Sequence, residues 1–327
     1  MSNHKSAKGF NEALKVGEDN IPMHRSEITE RLKVMKKQEC TIYIIRDYLN
    51  LEGSPSDSQS HIDALCRYRM AKWCYSLVDA LCLDRETVSI AMSYLDRFIA
   101  TGSPRAGRVL KNRSEYQLAS MTALYMAIKV FEPKIMDPRQ FADLSQGKYK
   151  SSDIIDMESE ILFNLKWRLN GPTAAAFLVY FTALLPPLEQ CGNTTSYDAV
   201  VANATYQIEL SVTKYSFVTE RPSTIAIAAL MNSVERLSAS DSNLISKMAR
   251  MLNEVDLATD IDVLSSNVNK IAQRLDKLQN EPSPIFQKRS NNYDDLTVKE
   301  DKSIYHDLKS SANTQRSRAE ASPMTCV

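Results

Sequence analysis

Apolar residues recur at helical spacing on both sides of a short break near Asp84. One stripe runs from Met70 to Leu81 and a second from Val88 to Ile99. Asp84 precedes the second stripe and is a candidate N-cap. The pattern therefore predicts two consecutive amphipathic helices. Charged residues are expected on their polar faces, namely Arg67, Arg69, Lys72, Asp96 and Arg97.

Three further helices are predicted before residue 168. The stretch from Leu118 to Val130 is apolar on nearly every side and rich in alanine, which is typical of the central helix of a bundle. A short helix is predicted to begin at Asp137-Pro138, with proline at its first position, and the last is predicted to end at Trp167. Residues 66–168 thus predict one five-helix unit.

A second set of five helices is predicted over residues 169–280, after the break at Asn170-Gly171-Pro172. Its Ala-rich third helix corresponds to the central helix of the first set, although the two sequences share little identity. The two sets repeat an architecture rather than a sequence. The predicted helices span about 173–185, 197–218, 224–237, 243–254 and 261–278.

The two ends of the chain are polar. Residues 1–36 predict a flexible leader with at most a short helix near Ser26 to Lys37, and residues 281–327 predict a disordered tail. Between the leader and the first unit, residues 37–65 predict a short amphipathic helix, Glu39 to Leu49, followed by a linker. The predicted fold class is all-α, with two tandem five-helix units and flexible N- and C-terminal tails.

The composition narrows the possible functions. The chain has 40 basic and 40 acidic side chains, so a role in gripping nucleic acid is disfavoured. Only 8 glycines in 327 residues argue against a β-sandwich or barrel. No apolar run approaches the roughly 20 residues that span a bilayer, and no apolar signal core follows the N-terminal methionine. The expected location is the nucleus or the cytoplasm, with no membrane partner.

The cysteines invite a metal interpretation, because Cys66, Cys74 and Cys82 recur every eight residues. Only His61 lies nearby as a further ligand, and no C-x-x-C pair is present, so free thiols in a reducing compartment are the simpler interpretation. No catalytic motif or phosphate-binding loop occurs either. The sequence predicts no metal, no cofactor and no catalytic site, and hence a protein that is not an enzyme.

Two charged residues occupy unusual positions. Lys129 ends the most apolar helix, and Glu158 follows Ile154 by one helical turn on an apolar stripe. Each has an ordinary explanation, since a lysine in a last turn complements the helix dipole and a glutamate can pair with a local arginine. Spacing alone leaves a functional role and a structural role both open.

The region from Cys66 to Ile99 contains Arg67, Trp73, Leu83, Glu86, Thr87, Tyr94, Leu95, Asp96, Arg97 and Phe98. With these ten positions it resembles the cyclin box, the kinase-activating helical domain of the cyclins. The amino-acid sequence of residues 89–99 is most similar to that of cyclins of diatoms and related algae. The resemblance implies a cyclin box over residues 66–168 and a second cyclin fold over 169–280.

The resemblance also implies two sites. Lys129 and Glu158, 29 residues apart, match the lysine and glutamate with which cyclins grip a cyclin-dependent kinase. A shallow patch would dock substrates or inhibitors with Arg-x-Leu-type motifs. Cys66 and Arg69 depart from the larger apolar residues usual there, which implies altered specificity, and the apolar members have a core role as their alternative. The patch positions are Cys66, Arg69, Met70, Trp73, Arg113 and Gln117.

The functional hypothesis is a regulatory subunit that binds and activates a cyclin-dependent serine/threonine kinase and so controls cell-cycle progression. Two alternatives remain, a cyclin-fold transcription factor that binds DNA and a helical scaffold without a kinase partner. Zero net charge counts against the first and the matched Lys129–Glu158 spacing against the second. Residues 46–49 have the R-x-x-L form of a degradation signal, and Ser283-Pro284 and Ser322-Pro323 are candidate phosphorylation sites.

Overall fold

The computed structural model describes residues 25–49, 62–133, 136–184, 194–237, 252–253, 255–256 and 265–280. Eleven α-helices and one short 3₁₀ helix, Tyr215–Phe217, have both ends within these ranges, and residues 252–253 and 255–256 are also helical. The helices are α1 (Arg25–Thr41), α2 (Ala64–Ala80), α3 (Glu86–Ala100), α4 (Pro104–Lys111), α5 (Arg113–Phe131), α6 (Pro138–Asp143), α7 (Ser151–Asn164), α8 (Ala174–Ala183), α9 (Thr194–Thr213), α10 (Pro222–Leu237) and α11 (Ser266–Asn280).

Helix α5 forms the centre of the first unit. Its residues are buried continuously from Leu118 to Ile128, as the all-round apolar pattern predicts. Helices α2, α3, α4 and α7 contact it from different sides. Small residues such as Ala119, Ala123 and Ala127 are almost fully enclosed, which lets these neighbours approach closely. The predicted central helix is confirmed.

One helix of the first unit is absent from the sequence prediction. After α3, Gly102 adopts a left-handed conformation with φ of 65°, and the Ser103 hydroxyl accepts a hydrogen bond from the Ala106 N–H at 3.3 Å. Ser103 thereby begins α4, with Pro104 at the first helical position. The segment predicted to stop one helix therefore also starts the next.

The second unit is built in the same way around α10, which contacts α8, α9 and α11. Residues Ala226 to Leu230 in α10 are fully buried. The predicted helix over 197–218 ends at Thr213 and is followed by the 3₁₀ turn. Most of the helix predicted over 243–254 lies outside the described residues. So do residues 1–24 of the leader, most of the linker, the tail from 281 to 327 and both Ser-Pro sites.

Helix α1 contains the short helix that the sequence allows near Ser26 to Lys37, and it is packed against the rest of the fold. Ile28 and Leu32 share one face of α1 and are buried in the core of the second unit, together with Phe181 of α8. At the other end of α1, Glu39 accepts hydrogen bonds from Ser223, from its N–H at 3.0 Å and its hydroxyl at 2.5 Å. A carboxylate at the first turn of α10 satisfies an N–H that the helix itself leaves unpaired. The short helix that the sequence allows near Ser26 to Lys37 is therefore present, and it packs against the second unit.

The helix predicted from Glu39 to Leu49 is wrong beyond Thr41, where α1 ends and the chain becomes irregular. The Tyr215 hydroxyl accepts hydrogen bonds from the N–H groups of Tyr48 and Leu49, both at 2.9 Å, and donates to Asp47 at 2.6 Å. These tertiary hydrogen bonds replace the intrahelical ones. We call the non-helical residues 42–49 the strap. The R-x-x-L segment at 46–49 lies in this strap.

Polar contacts join the two units. Arg85, at the start of α3, lies 2.9 Å from Glu209 of α9 and also pairs with Asp79. Thr173, the N-cap of α8, donates a hydrogen bond to Glu86 in the first turn of α3. Because these bonds bridge α3 to α8 and α9, they fix how the second unit sits against the first.

We expect Glu86 to make folding stability fall as pH rises. Partial burial raises the pKa of Glu86 to about 7, opposed by the Thr173 hydrogen bond and assisted by the nearby Asp84 carboxylate. In the unfolded chain the pKa is near its ordinary value of 4.5. Between these two pH values the folded state holds a proton that the unfolded state has lost, so stability is present at the acidic end and declines through pH 7.

Thermal unfolding of Glu86→Gln tests this expectation, since glutamine keeps an acceptor for Thr173 and does not titrate. From about pH 5 to about pH 8 the variant should lose less of its Tm than the wild type. Glu160→Gln, on the exposed side of α7, is the control and should follow the wild-type curve. Parallel curves for Glu86→Gln and wild type would show that this carboxyl is ionised throughout.

Candidate functional site

Lys129 and Glu158 are brought together by the packing of α5 against α7. Lys129 lies in the last turn of α5 and Glu158 in the second turn of α7. The Lys129 Nζ donates a hydrogen bond to Glu158 Oε1 at 2.7 Å. The structure therefore places the two sequence-predicted residues in one site, on the surface of the first unit.

The ion pair lies against buried aromatic residues on one side and faces solvent on the other. The Lys129 side chain is 53% exposed and that of Glu158 is 13% exposed. The Lys129 Nζ lies 5.7 Å from the centre of the Tyr125 ring, and this buried ring packs on Phe141 at 5.4 Å. The hydrogen bond to Glu158 raises the pKa of Lys129, so the ammonium is charged at neutral pH. With three donors on the ammonium and two oxygens on the carboxylate, the pair retains capacity for an outside partner.

Exposed apolar side chains lie on the same two helices. Val130 and Phe131 follow Lys129 directly and are 46% and 45% exposed. On α7, Ile155, three residues before Glu158, is 47% exposed. Phe163 is 79% exposed but lies on another side of α7, beside Ser159 and Glu160. Apolar surface around a few oriented polar groups is the usual composition of a protein-binding surface. We call the five residues Lys129, Val130, Phe131, Ile155 and Glu158 the α5–α7 surface.

The three apolar members of this surface, Val130, Phe131 and Ile155, are absent from the sequence prediction, although α7 carries a signal for exposed apolar residues. Helix α7 buries Ile154, Met157 and Ile161 on its core side. Ile155 and Phe163 lie off that stripe, so α7 has more apolar residues than one buried face requires. An excess of this kind predicts a second apolar face, and here that face is in solvent.

The predicted docking positions lie on α2 and at the start of α5, two helices in contact. Cys66, Met70 and Trp73 are partly buried and pack against the first core, while Arg69 and Arg113 are exposed. The partial burial of Met70 and Trp73 serves the core and leaves part of each side chain at the surface. The Gln117 side-chain oxygen accepts a hydrogen bond from Lys148 Nζ at 2.7 Å.

Arg67, Asp96 and Arg97 are buried, which corrects their expected place on the polar faces. Arg67 forms a bidentate ion pair with Asp96, at 2.9 Å from Nε to Oδ1 and 2.7 Å from Nη2 to Oδ2. Arg67 Nη1 also donates to the Val212 carbonyl, and the Tyr48 hydroxyl donates to Asp96, both over less than 3 Å. These partners replace the water that a charged group loses on burial.

The described cysteines are free thiols, with Cys74 buried and Cys82 exposed. Burial raises the pKa of Cys74 to about 12, so this thiol is unreactive. Among the described residues, no three side chains of the metal-ligating types cluster closely enough to hold an ion. In those same parts of the chain, none of the helices has both the length and the apolar character to cross a bilayer.

Two family models match most of the chain. The cyclin N-terminal domain matches residues 30–170, and the cyclin C-terminal domain matches residues 172–304. The chain belongs to the cyclin family. The first match begins inside α1, so residues 30–41 of this helix lie within the cyclin N-terminal region. The junction between the matches falls at the predicted break near Gly171.

Curated cyclins from plants and animals are similar to this one. Cyclin-A1-2 of Arabidopsis thaliana is 27% identical over 53% of this chain and 37% of its own length. The G2/mitotic-specific cyclin S13-7 of Glycine max is 29% identical over 53% of this chain and 62% of its own. The G1/S-specific cyclin-D1 of Danio rerio is 25% identical over 67% and 72%. This chain spans less than half the length of the Arabidopsis relative.

A solved cyclin shares the fold. The viral cyclin from herpesvirus saimiri superposes with a TM-score of 0.53 at 14% identity, over 77% of this chain and 97% of the viral one. At this identity the similarity concerns the fold. The predicted all-α class with two tandem cyclin folds is confirmed.

Proposed function

We propose that this cyclin binds and activates a cyclin-dependent serine/threonine kinase as its non-catalytic regulatory subunit. The observation that carries the proposal is the Lys129–Glu158 ion pair, set among exposed apolar side chains on the α5–α7 surface. The site offers polar groups to a partner's backbone and apolar area to its side chains. The phosphoryl transfer, with its ATP and magnesium, belongs to the kinase.

The contact chemistry suits a helix of the kinase. Lys129 donates to carbonyl oxygens at the exposed end of such a helix, and Glu158 accepts from N–H groups or a basic side chain. Phe131 and Ile155 bury their exposed area against its apolar residues. Apolar contacts of this kind supply affinity, while the ion pair fixes orientation and register.

Activation follows when the cyclin binds the active state of the kinase more tightly than the inactive one. In the active state the kinase's lysine–glutamate ion pair and its metal-binding aspartate are aligned for transfer. Shifting a kinase from 1% to 99% active requires roughly 5.5 kcal/mol of differential binding. A rigid two-unit cyclin supplies this without entering the chemistry. We place the complex in the nucleus or the cytoplasm and its role in cell-cycle progression.

The test is reconstitution with purified partners. The chain is mixed with each of a set of cyclin-dependent kinases, followed by size-exclusion chromatography and a histone phosphorylation assay. We expect co-elution with at least one kinase and a large increase in phosphorylation over that kinase alone. The chain with ATP and histone, without kinase, is the control and should transfer no phosphate. Failure to co-elute with or stimulate any kinase would refute the proposal.

A further inference from the structure

A cleft of about 350 Å³ lies between the two units, next to the strap. Helix α3 forms one wall through Ser89, Met92 and Ser93, and helices α9 and α10 of the second unit form another. Tyr43 of the strap and Gly171 at the junction of the units also line it. Small-molecule sites have volumes of roughly 300–1,000 Å³, so this space is large enough for a small ligand. We call it the inter-unit cleft.

Arg97 lies one helical turn beyond Ser93 on α3, on the far side of the Tyr43 ring from the cleft. The guanidinium lies 4.6 Å from the centre of this ring. The same ring packs so closely on Gly171 that a Cβ at residue 171 would lie 2.6 Å from Tyr43 Cδ1. Tyr43 and Gly171 line the cleft, whereas Arg97 does not. The Tyr43 ring therefore separates the cleft from the guanidinium.

Arg97 is a buried cation without a carboxylate partner among the described residues. It is 7% exposed, and its Nη2 donates to the Arg168 carbonyl at 2.8 Å, but its Nη1 is buried without a hydrogen-bond partner there. The ion pairs found in those parts of the chain include neither Arg97 nor Arg168. Burial lowers the pKa of Arg97, and the nearby Arg168 contributes a smaller decrease. Both effects are those expected of a cation that lacks a counter-ion.

Tyr94 provides a second unsatisfied donor beside this cation. It lies three residues before Arg97 on α3 and is 1% exposed. Within the part of the chain that the structure describes, its buried hydroxyl has no hydrogen-bond partner. Burial raises the pKa of Tyr94, so the hydroxyl keeps its proton at neutral pH. Buried donors are normally satisfied, and two such donors beside a pair of arginines indicate an anionic acceptor from outside the chain.

We propose that Arg97, Arg168 and Tyr94 bind the phosphate group of a small organic phosphate, whose carbon skeleton occupies the inter-unit cleft. A phosphate monoester is largely dianionic at neutral pH, which matches the two arginine charges. Its oxygens accept hydrogen bonds from Arg97 Nη1 and from the Tyr94 hydroxyl, once the Tyr43 ring has turned away from the guanidinium. The inference does not depend on the proposed kinase contact, because ligand binding is measured with the cyclin alone.

The carboxylates that line the cleft have other partners. Asp96 and Glu220 each form an ion pair with an arginine other than Arg97 or Arg168. Glu39 accepts hydrogen bonds at the start of α10, and burial raises its pKa, which reduces its negative charge. Repulsion between these groups and a bound phosphate is therefore limited.

Isothermal titration calorimetry on the full chain tests the proposal with phenyl phosphate, phenol and inorganic phosphate. We expect phenyl phosphate to bind at least ~10-fold more tightly than either of the other two, because only phenyl phosphate has both the anion and the ring. Its affinity should fall as ionic strength rises to roughly 0.3 M. Absence of phenyl phosphate binding would show that water satisfies Arg97 and would overturn the proposal. So would tighter binding of a phosphoserine peptide, since the site would then take a phosphorylated protein.

A matched pair of tyrosine variants tests the site itself. Tyr94→Phe removes a hydroxyl that has no partner in the described structure, so the Tm should not fall, whereas phenyl phosphate should bind at least ~5-fold more weakly. Tyr116→Phe removes another buried hydroxyl without a partner there, beside Arg67 rather than Arg97, and should bind phenyl phosphate like wild type. Equal affinities in the two variants would refute the assignment of Tyr94.

Arg168 is tested in the same way, because its side chain is exposed and can be truncated without disturbing the core. Arg168→Ala should weaken phenyl phosphate binding about 10-fold or more. Arg139→Ala, exposed on α6, removes the same charge away from the cleft and should bind like wild type. Equal losses in these two variants would show general charge attraction in place of a site. Circular dichroism checks that every variant is folded.

Discussion

Replacing Lys129 and Glu158 together by alanine should abolish stimulation of the partner kinase while leaving the helical circular dichroism unchanged. In a desolvated interface, truncating one hydrogen-bonded charge costs about 2–5 kcal/mol, which corresponds to at least ~30-fold in affinity. In the free chain the same pair is half in solvent and contributes at most about 1 kcal/mol to folding. Binding should therefore be lost without unfolding.

The single variants Lys129→Ala and Glu158→Ala sharpen this prediction. The two side chains contact each other at 2.7 Å, so their effects on kinase affinity should not add. After either single change the remaining charge lacks its intramolecular partner, and each variant should lose most of the affinity that the double variant loses. The measurements are the Kd for the kinase and the rate of histone phosphorylation.

A matched control is available on α1. Lys33 and Glu30 form an exposed pair with the same residue types and a 2.8 Å separation, remote in sequence from the α5–α7 surface. Lys33→Ala with Glu30→Ala should activate the kinase like wild type. Normal activation by the Lys129/Glu158 double variant would show that the kinase contacts another surface.

Breaking the buried Arg67–Asp96 ion pair should destabilise the fold by about 3–5 kcal/mol. Both side chains are almost completely buried, and Arg67 also donates a hydrogen bond to the Val212 carbonyl of the second unit. Burial by itself lowers the pKa of Arg67, but the Asp96 carboxylate raises it, so Arg67 is charged in the folded state. Asp96→Ala leaves that charge buried without its main partner. The loss is a large fraction of the stability of an ordinary domain.

Urea unfolding followed by circular dichroism measures the effect. Arg67→Met with Asp96→Leu removes both charges and should be much less destabilising than Asp96→Ala alone. The control Arg236→Ala breaks the more exposed pair with Asp276 and should cost less than about 1 kcal/mol. If Asp96→Ala unfolds at the same urea concentration as Arg236→Ala, the buried pair does not stabilise the fold as proposed.

Helix periodicity explains what could be predicted locally. The apolar spacing in α2 and α3 and the all-round apolar character of α5 depend only on residues within a few turns of each other. The apolar spacing alone predicted some helix ends at the wrong residues. Helix α7 ends at Asn164, before the predicted Trp167, because Lys166 and Trp167 take left-handed φ angles of 52° and 59°. Non-glycine residues rarely adopt such angles, so no sequence rule predicted them.

The strap after α1 shows where local reasoning fails. Its apolar spacing suits a helix. However, the backbone N–H groups of Tyr48 and Leu49 donate hydrogen bonds to the Tyr215 hydroxyl, which is 167 residues away from Tyr48. Glu39 and Ser223 are separated by 184 residues in the same way. Hydrogen bonds between such distant residues arise only when the two units pack, so they leave no periodic signal in the sequence.

The sequence by itself determined the helical class, the two tandem units with an Ala-rich helix in the middle of each, and Lys129 and Glu158 as candidates. Tertiary structure alone decided that these two side chains meet at 2.7 Å among exposed apolar residues, and that Arg67 and Asp96 are buried partners rather than surface charges. The physical reason is the distance along the chain over which each kind of interaction acts. Helix propensity and amphipathicity act over a few residues, whereas burial and ion pairing depend on which distant helix faces pack together.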